Sequence, residues 1–340
     1  MRYINIVFLG FLVVIAASCG KQSGVKSPYT IMFYNVENLF DTIDASGKFD
    51  EEFLPSSAKE WNTERYTQKI NDLAKVISRV DTLQLPVLIG LCEVENNKVL
   101  ADLSSHALLS RTGYHMVWED GPDRRGIDCA LLYNPAFFKP NTIEMLSIND
   151  PANESFITRD ILYISGKAKG ETLHVFVAHW PSRSGGESES EPYRILAANT
   201  MRAKVEQLFN NDSEAQIIIM GDMNDEPSNM SLSDILMALP NDKNPGKKQL
   251  VNLMYDDYND GKGSYSYRGD WNMIDNIIVS SGLINKNSGL KSPLDNGYVF
   301  HESFMEYIND SGEVSPNRTY GRTYYGGISD HFPVYMLLFD

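Results

Sequence analysis

Gln216-Ile-Ile-Ile-Met-Gly-Asp-Met-Asn-Asp-Glu226 is the stretch on which the rest of the chain depends. Ile217 to Met220 form a short continuous apolar run, which suits a strand buried on both faces. Gly221 interrupts the run, and Asp222 and Asn224 follow with one residue between them. In extended backbone, positions i and i+2 point the same way, so a carboxylate and an amide would share one side of the strand's end. A turn is the plain alternative, because Gly, Asp and Asn are the usual turn formers. The other segments decide between the two.

On either side of this stretch, apolar runs again end in polar residues. A first strand over 29–35 ends in Asn35-Val-Glu-Asn38, and a second over 86–92 delivers Glu93. Further strands are expected over 126–133, stopped by Asn134-Pro135, and over 156–165 and 172–179, joined through the glycines at 166 and 170. The last strands are 274–280 and 333–339. Tyr66, Ile70, Leu73, Ile77 and Val80 recur at helical spacing behind Asn62 and Thr63, either of which could cap the helix. Residues 106–114 read as the tail of a second helix closed by Gly113, 193–209 as a third and 232–239 as a short fourth. Segments 41–62, 180–191 and 256–270 are polar or glycine-rich and read as loops. Strands outnumber helices and no repeat is present, so the fold class is α/β (α+β), in one domain.

The first residues stand apart. Arg2 precedes an almost wholly apolar run over 4–17, too short to span a bilayer and laid out like a secretory signal. Ala16-Ala17-Ser18 before Cys19 resembles the bacterial lipobox. The expectation is a signal peptide over 1–18, lipidation at Cys19 and a small, polar tether over 19–28. A plain signal peptide is the alternative. The expected place is the cell envelope, periplasmic or at the cell surface, on a lipid anchor in the membrane. Cys92 and Cys129 sit inside apolar runs, which suits two buried thiols; a single disulfide is the alternative. The formal charge of −15 argues against tight, sequence-independent nucleic-acid binding, which depends on neutralising phosphates. It leaves room for a groove with local arginines and a cation.

The strand ends collect Asn35, Glu93, His179, Asp222, Asn224, Asp275, Asp330 and His331 from segments spread over most of the chain. Carboxylates, amides and two histidines without a thiolate suit a hard cation such as Mg²⁺ or Mn²⁺. The histidines also supply groups that titrate near neutrality. Each residue has a duller reading: a surface carboxylate for Glu93, a structural histidine for His331, a turn asparagine for Asn35. Asp275, inside Ile274-Asp-Asn-Ile-Ile278, needs a partner on physical grounds alone.

Six segments in order carry a resemblance: Tyr34-Asn-Val-Glu-Asn38, Leu91-Cys-Glu-Val-Glu95, Val177-Ala-His-Trp-Pro-Ser182, Gly221-Asp-Met-Asn-Asp225, Trp271-Asn-Met-Ile-Asp-Asn-Ile277 and Ser329-Asp-His-Phe-Pro-Val334. They resemble the ordered motifs of the endonuclease/exonuclease/phosphatase family, the deoxyribonuclease-I-like superfamily, here as a bacterial lipoprotein member. The resemblance implies a catalytic domain over 29–340, folded as a four-layer sandwich of two packed, mainly antiparallel β-sheets flanked by helices. It implies metal-dependent hydrolysis of phosphodiester bonds, nuclease-like, by in-line attack of water. Asn35, Glu93 and Asp330 would hold the cation. His179 would assist the leaving oxygen, Asp222 and Asn224 would handle the water and phosphate, and Asp275 would buttress His331.

Arg125, Arg159 and Arg183 lie near expected strand ends and suit phosphate or substrate binding, because arginine forks match phosphate oxygens; surface salt bridges are the alternative. Trp180, Tyr265, Tyr267 and Trp271 could stack bases or sugars, with core packing as the default. The expected partner is a nucleic acid or nucleotide, acted on by a monomer. Phosphodiesterase or phosphatase action on a lipid or inositol phosphate, such as a phospholipid head group, is the rival. A non-catalytic binding lipoprotein is the remote one.

Overall fold

The computed structural model describes residues 27–241 and 244–340. The expected signal segment, Cys19 and most of the tether lie outside the described residues.

Two sheets form the frame. The first orders β14 (Gly297–Val299), β17 (Val334–Leu338), β1 (Tyr29–Leu39), β2 (Leu88–Val94), β4 (Asp128–Tyr133) and β3 (His115–Trp118). The second orders β5 (Phe138–Leu146), β6 (Ile161–Ala168), β7 (Glu171–His179), β8 (Gln216–Asp222), β13 (Asp275–Ser280), β10 (Leu250–Asn252) and β9 (Ala238–Pro240). Only β1–β2, β7–β8 and β9–β10 pair parallel; the other described pairings in these sheets are antiparallel. Two small ribbons, β11 (Tyr265–Tyr267) with β12 (Asp270–Asn272) and β15 (Glu306–Ile308) with β16 (Val314–Pro316), complete the strands.

Strand alternation divides the apolar residues into three interfaces. Ile31 and Phe33 of β1 face Ile218 and Met220 of β8 in the core between the sheets. Met32 and Tyr34 turn outward onto Leu73 and Ile77 of α1 (Thr63–Val80) and Leu100 of α2 (Asn97–Ser104). Ile217 and Ile219 turn the other way, onto Ala197, Met201 and Val205 of α3 (Glu187–Asn211). The apolar run of β8 is therefore buried on both faces, and the architecture is the four-layer sandwich. Gly90 permits the close approach of the sheets, since a Cβ there would lie 2.7 Å from Met220 Sδ.

Several elements depart from the sequence reading, each for a local reason. Asn62 caps α1, accepting the Arg65 N–H. The second helix has ended by Ser104, started by the Asn96 cap; residues 106–114 are turns, and Gly113, at φ +61°, closes a single 3-10 turn. α3 begins at Glu187 rather than 193. Pro192 sits in its second turn. Residues 231–240 form a π-helical turn and then β9, not one helix, and 256–270 holds the end of α4 (Tyr255–Asn259) and the β11–β12 ribbon. β3 and β5 escaped the sequence reading as edge strands; β5 carries Pro140 and exposes one face, as edge strands tolerate. Cys92 and Cys129 are buried free thiols.

Candidate active site

The site forms where strands of both sheets end on one side of the sandwich. Pairing sets the first neighbours: in the second sheet His179 of β7 and Asp275 of β13 both stand opposite Asp222 of β8. Gly221 makes this possible, because a Cβ there would lie 2.4 Å from the Ala178 carbonyl. β1 brings Asn35 from the other sheet. Glu93, the next-to-last residue of β2, has left-handed backbone (φ +62°), and its carboxylate accepts from Asn35.

The side chains then meet. Asn35 Nδ2 donates to Asp222 Oδ2 at 3.0 Å and to Glu93 Oε1 at 3.3 Å, and lies 3.5 Å from His331 Nε2. His179 Nε2 is 3.5 Å from Asp222 Oδ2 and 4.0 Å from Glu93 Oε1. His331 Nδ1 contacts Asp275 Oδ2 at 2.7 Å, while its Nε2 faces Asp222 at 3.8 Å and Asp330 at 3.9 Å. Asp222 Oδ1 accepts the Asn224 N–H at 3.0 Å, and Asn224 Nδ2 donates to the Trp180 carbonyl. So the turn and the functional strand end, set against each other in the sequence, coexist at Asp222-Met-Asn224.

Burial and charge push these groups apart in proton affinity. Burial raises Asp222 to about 7, with His331 pulling down and Asp275 pushing up. Burial opposes charge on His331, but the carboxylates of Asp275, Asp222 and Asp330 outweigh it and hold the imidazole well above its usual range. His179 goes the other way: burial first, then Arg159, Arg125 and His331, keep it well below, so it is neutral at pH 7. Opposed histidines around one carboxylate are what acid–base chemistry at neutral pH requires.

Asp222, Asp275 and His331 each bring a donor atom to within 4.8 Å of one another, a grouping able to hold a cation. Asp275 Oδ2, however, already takes the Ser264 hydroxyl and His331 Nδ1. Glu93 and Asp330 are the carboxylates of the set that reach solvent, at 13% and 21% side-chain exposure, and both line the cavity; Glu93 also accepts the Asn38 N–H at 2.8 Å, and Asp330 Oδ2 meets Arg318 at 3.3 Å. Oxygen donors without a thiolate fit a hard divalent ion. Asn35 presents its amide nitrogen to the carboxylates, since its oxygen accepts the Glu37 N–H at 2.9 Å; in this arrangement it holds Glu93 and Asp222 rather than offering an oxygen.

The cavity above measures about 1040 Å³. Arg125, Arg159 and Arg183 all line it, but differently. Arg125 is half-exposed, beside Asp123 at 3.6 Å. Arg159 is buried and bonded to the carbonyls of His179 and Trp180 and to Asp123, so it braces the end of β7. Arg183 ties the Asn224 carbonyl to Asn272 Oδ1. Of the aromatics, Tyr265 and Tyr267 reach the cavity, with the Tyr265 ring 4.8 Å from that of His331. Trp180 is in the core and Trp271 stacks on Phe332. Ser264 was missed; a lone serine in a glycine-rich loop carries no sequence signal.

Asp128 does not reach this cavity. Its Oδ2 accepts the Gly121 N–H and its Oδ1 is buried without a partner; burial raises the carboxyl to about 6 despite that bond. A raised carboxyl binds its proton more tightly in the folded chain, so its contribution to stability is lost as pH rises from about 4 to about 6. Asp128→Asn is expected to raise the urea midpoint at pH 7.5 and leave it nearly unchanged at pH 4.5. A midpoint that falls at pH 7.5 would refute this.

A family profile described as the endonuclease/exonuclease/phosphatase family matches residues 30–339. Among curated proteins no sequence matches the chain. Among solved structures it is similar to D. rerio TDP2 complexed with a single-strand DNA product, at 14% identity and TM-score 0.56, over 93% of this chain and 100% of that one. An endonuclease/exonuclease/phosphatase family protein from Bacteroides thetaiotaomicron gives 18% identity and TM-score 0.54, over 92% and 96% of the two chains. The human Nocturnin catalytic domain with a bound sulfate anion gives 14% and 0.53, over 92% and 94%. At these identities the likeness is one of fold.

Proposed function

The chain belongs to the endonuclease/exonuclease/phosphatase family and is a hydrolase of phosphate esters, and from that premise we propose that it cleaves phosphodiesters of nucleic acids or nucleotides with the help of Mg²⁺ or Mn²⁺. The observation that carries this reading is buried Asp222, its Oδ2 3.5 Å from His179 Nε2 and 3.8 Å from His331 Nε2, at the floor of a cavity that Glu93 and Asp330 also line. The DNA product in D. rerio TDP2, which shares the fold, favours nucleic acid over lipid or inositol phosphates.

Asp222 is placed to take the proton from the attacking water, its raised affinity matching neutral pH. Its Oδ1 is steadied by the Asn224 N–H, so the carboxylate does not rotate away. His331, charged and locked by Asp275, stabilises negative charge on the phosphoryl oxygens through Nε2. His179, neutral and 3.5 Å from Asp222, donates toward the leaving oxygen. Glu93 and Asp330 would hold the cation, whose chemistry when bound is to polarise the phosphoryl group. Arg125, the arginine with the most solvent-facing side chain of the three, serves a flanking phosphate, while Arg159 and Arg183 position the walls.

Cleavage of bis(p-nitrophenyl) phosphate is expected to require added Mg²⁺ or Mn²⁺ and to stop on chelation. Glu93→Gln is expected to raise the half-saturating metal concentration by more than about tenfold. Turnover untouched by chelator would end the reading. A panel of duplex DNA, RNA, sphingomyelin and inositol phosphates then ranks the substrates; head-group release with nucleic acid untouched would replace the nuclease reading with the lipid one.

The lipid anchor belongs to the same proposal: residues 1–18 as signal, Cys19 acylated, 19–28 as tether and 29–340 as the catalytic domain in the cell envelope. Cys19→Ser is expected to move the protein from the membrane to the soluble fraction, and continued membrane fractionation would disprove the anchor.

A further inference from the structure

Glu37 and Lys69 are ionisable side chains only 2% and 1% exposed, and neither takes part in the chemistry above. Both reach the same irregular segment. Residues 317–329 lie between β16 and β17 and join neither large sheet. The segment closes on itself: the Ile328 and Ser329 N–H groups both donate to the Asn317 carbonyl, and a Cβ on Gly327 would lie 2.2 Å from that oxygen. Asp330 and His331 follow directly. His331 is pinned on one side by a bridge to Tyr265 and by the Phe332 N–H on the Ser264 carbonyl, while the loop that leads into it has no strand ladder of its own and needs other contacts to fix it.

Glu37 lies two residues beyond Asn35 with φ at +47°, a left-handed turn that sends its side chain away from the cavity and toward the loop. Its two oxygens accept the Thr319 N–H at 2.6 Å and the Tyr320 N–H at 3.2 Å. Lys69, on the inner face of α1, donates to Thr319 Oγ1 at 2.6 Å and to the Ile328 carbonyl, which Thr319 Oγ1 also reaches at 2.8 Å. Thr319 is thus held from both sides, its N–H by Glu37 and its hydroxyl by Lys69. From Ile328 the connection runs on: Ser329 Oγ donates to the Asn35 carbonyl at 2.7 Å and receives the His331 N–H at 3.2 Å.

We propose that Glu37 and Lys69 are positioning residues that hold the 317–329 loop so that His331 stands at its working distance from Asn35 and Asp222. The proposal rests on the phosphodiesterase reading for its kinetic consequence, but not for its geometry. Two buried ionisable side chains add little stability over an apolar pair of similar volume. What an apolar pair cannot do is receive two buried N–H groups and satisfy a buried carbonyl in a loop that has no ladder to do so. The same turn at residues 35–38 sends Asn35 forward to Asp222 and Glu37 back to the loop. One piece of β1 therefore sets the spacing between the two halves of the site.

Arg318, 3.5 Å from Glu37, keeps its second contact to Asp330 Oδ2 at 3.3 Å when Glu37 is changed, so the test compares Glu37→Gln, Lys69→Met and the double variant in the wild-type and His331→Ala backgrounds. With bis(p-nitrophenyl) phosphate and saturating Mg²⁺, each is expected to lower kcat about 10- to 100-fold with KM within about twofold, and to cost less than about twofold when His331 is already alanine. The low-field proton NMR signal of His331 Nδ1–H, assigned by its loss in His331→Ala, should shift or broaden in all three folded variants. An unmoved signal, or a loss of the same size in both backgrounds, would overturn the proposal. A wild-type protein that cleaves no phosphodiester while the signal moves would sink the enzymatic reading and leave the brace standing.

Discussion

His331→Ala is expected to lower kcat/KM toward a metal-activated phosphodiester by about 10²- to 10⁴-fold, the range that a positioned acid–base side chain supplies. The imidazole is fixed rather than merely present. Asp275 holds Nδ1 at 2.7 Å, Ser264 holds Asp275 through the same oxygen, and the Tyr265 ring lies alongside. That leaves Nε2 the only nitrogen free to face substrate, and it faces Asp222. The pH profile gives the sign. Because its three carboxylate neighbours hold His331 well above the usual imidazole range, the charged form persists through neutrality, so the alkaline limb of activity should come as pH rises through that raised value and the acid limb as Asp222 takes up its proton below about 7. Asp275→Asn removes the largest of those influences, so the alkaline limb should move toward neutral pH while kcat drops. A His331→Ala enzyme that keeps more than about a tenth of wild-type kcat/KM would show that the histidine is structural. So would an Asp275→Asn profile with its alkaline limb in the wild-type position.

How much of this could be read from the chain depends on what kind of information each residue carries. Ile217 to Met220 announced a doubly buried strand because burial on both faces leaves no polar alternation, and Gly221 marked its end by the need for space against Ala178. Glu93, His179, Asp222 and Asp275 were legible for the same reason: a polar residue at the end of a buried run needs a partner. The partners themselves were not legible. Nothing in the sequence says that Asn35 turns its nitrogen inward, because Glu37 supplies the competing N–H two residues on. Arg159 looked available for phosphate until the fold placed the carbonyls of His179 and Trp180 within its reach. Ser264 and Lys69 act across 11 and 250 residues of chain, and long-range hydrogen bonds of that kind leave no local pattern. The edge strands β3 and β5 failed for the opposite reason, since short or half-exposed strands, β5 with a proline in it, dilute the pattern that defines them.

Asp225→Ala is expected to destabilise the fold by about 3–5 kcal/mol, the cost of stranding a buried charge. The charge is that of Arg194, whose side chain is fully buried in α3 with Nε 2.6 Å from Asp225 Oδ1. Arg194 also donates to Ser190 Oγ at 2.7 Å and to the Glu187 carbonyl at 2.9 Å, so it links the first turns of α3 to the turn that follows β8. Asp225 in turn accepts the Ser231 hydroxyl, and its carbonyl takes Asn276 Nδ2 at 3.2 Å. Removing the carboxylate leaves the guanidinium with neutral partners only at that end. Yet burial raises the Asp225 carboxyl above its usual range even against the pull of Ser231 and Arg194, which means the surroundings do not fully repay its desolvation. The pair should therefore be replaceable as a unit: Arg194→Met with Asp225→Leu is expected to recover most of the loss of Asp225→Ala, as coupled neighbours do. Urea midpoints and slopes of the wild type, Arg194→Met, Asp225→Leu and their double, with Asp225→Ala beside them, decide it. If the double variant falls by the sum of the singles, the two side chains act independently and the link between α3 and the Asp222–Asp225 turn lies elsewhere.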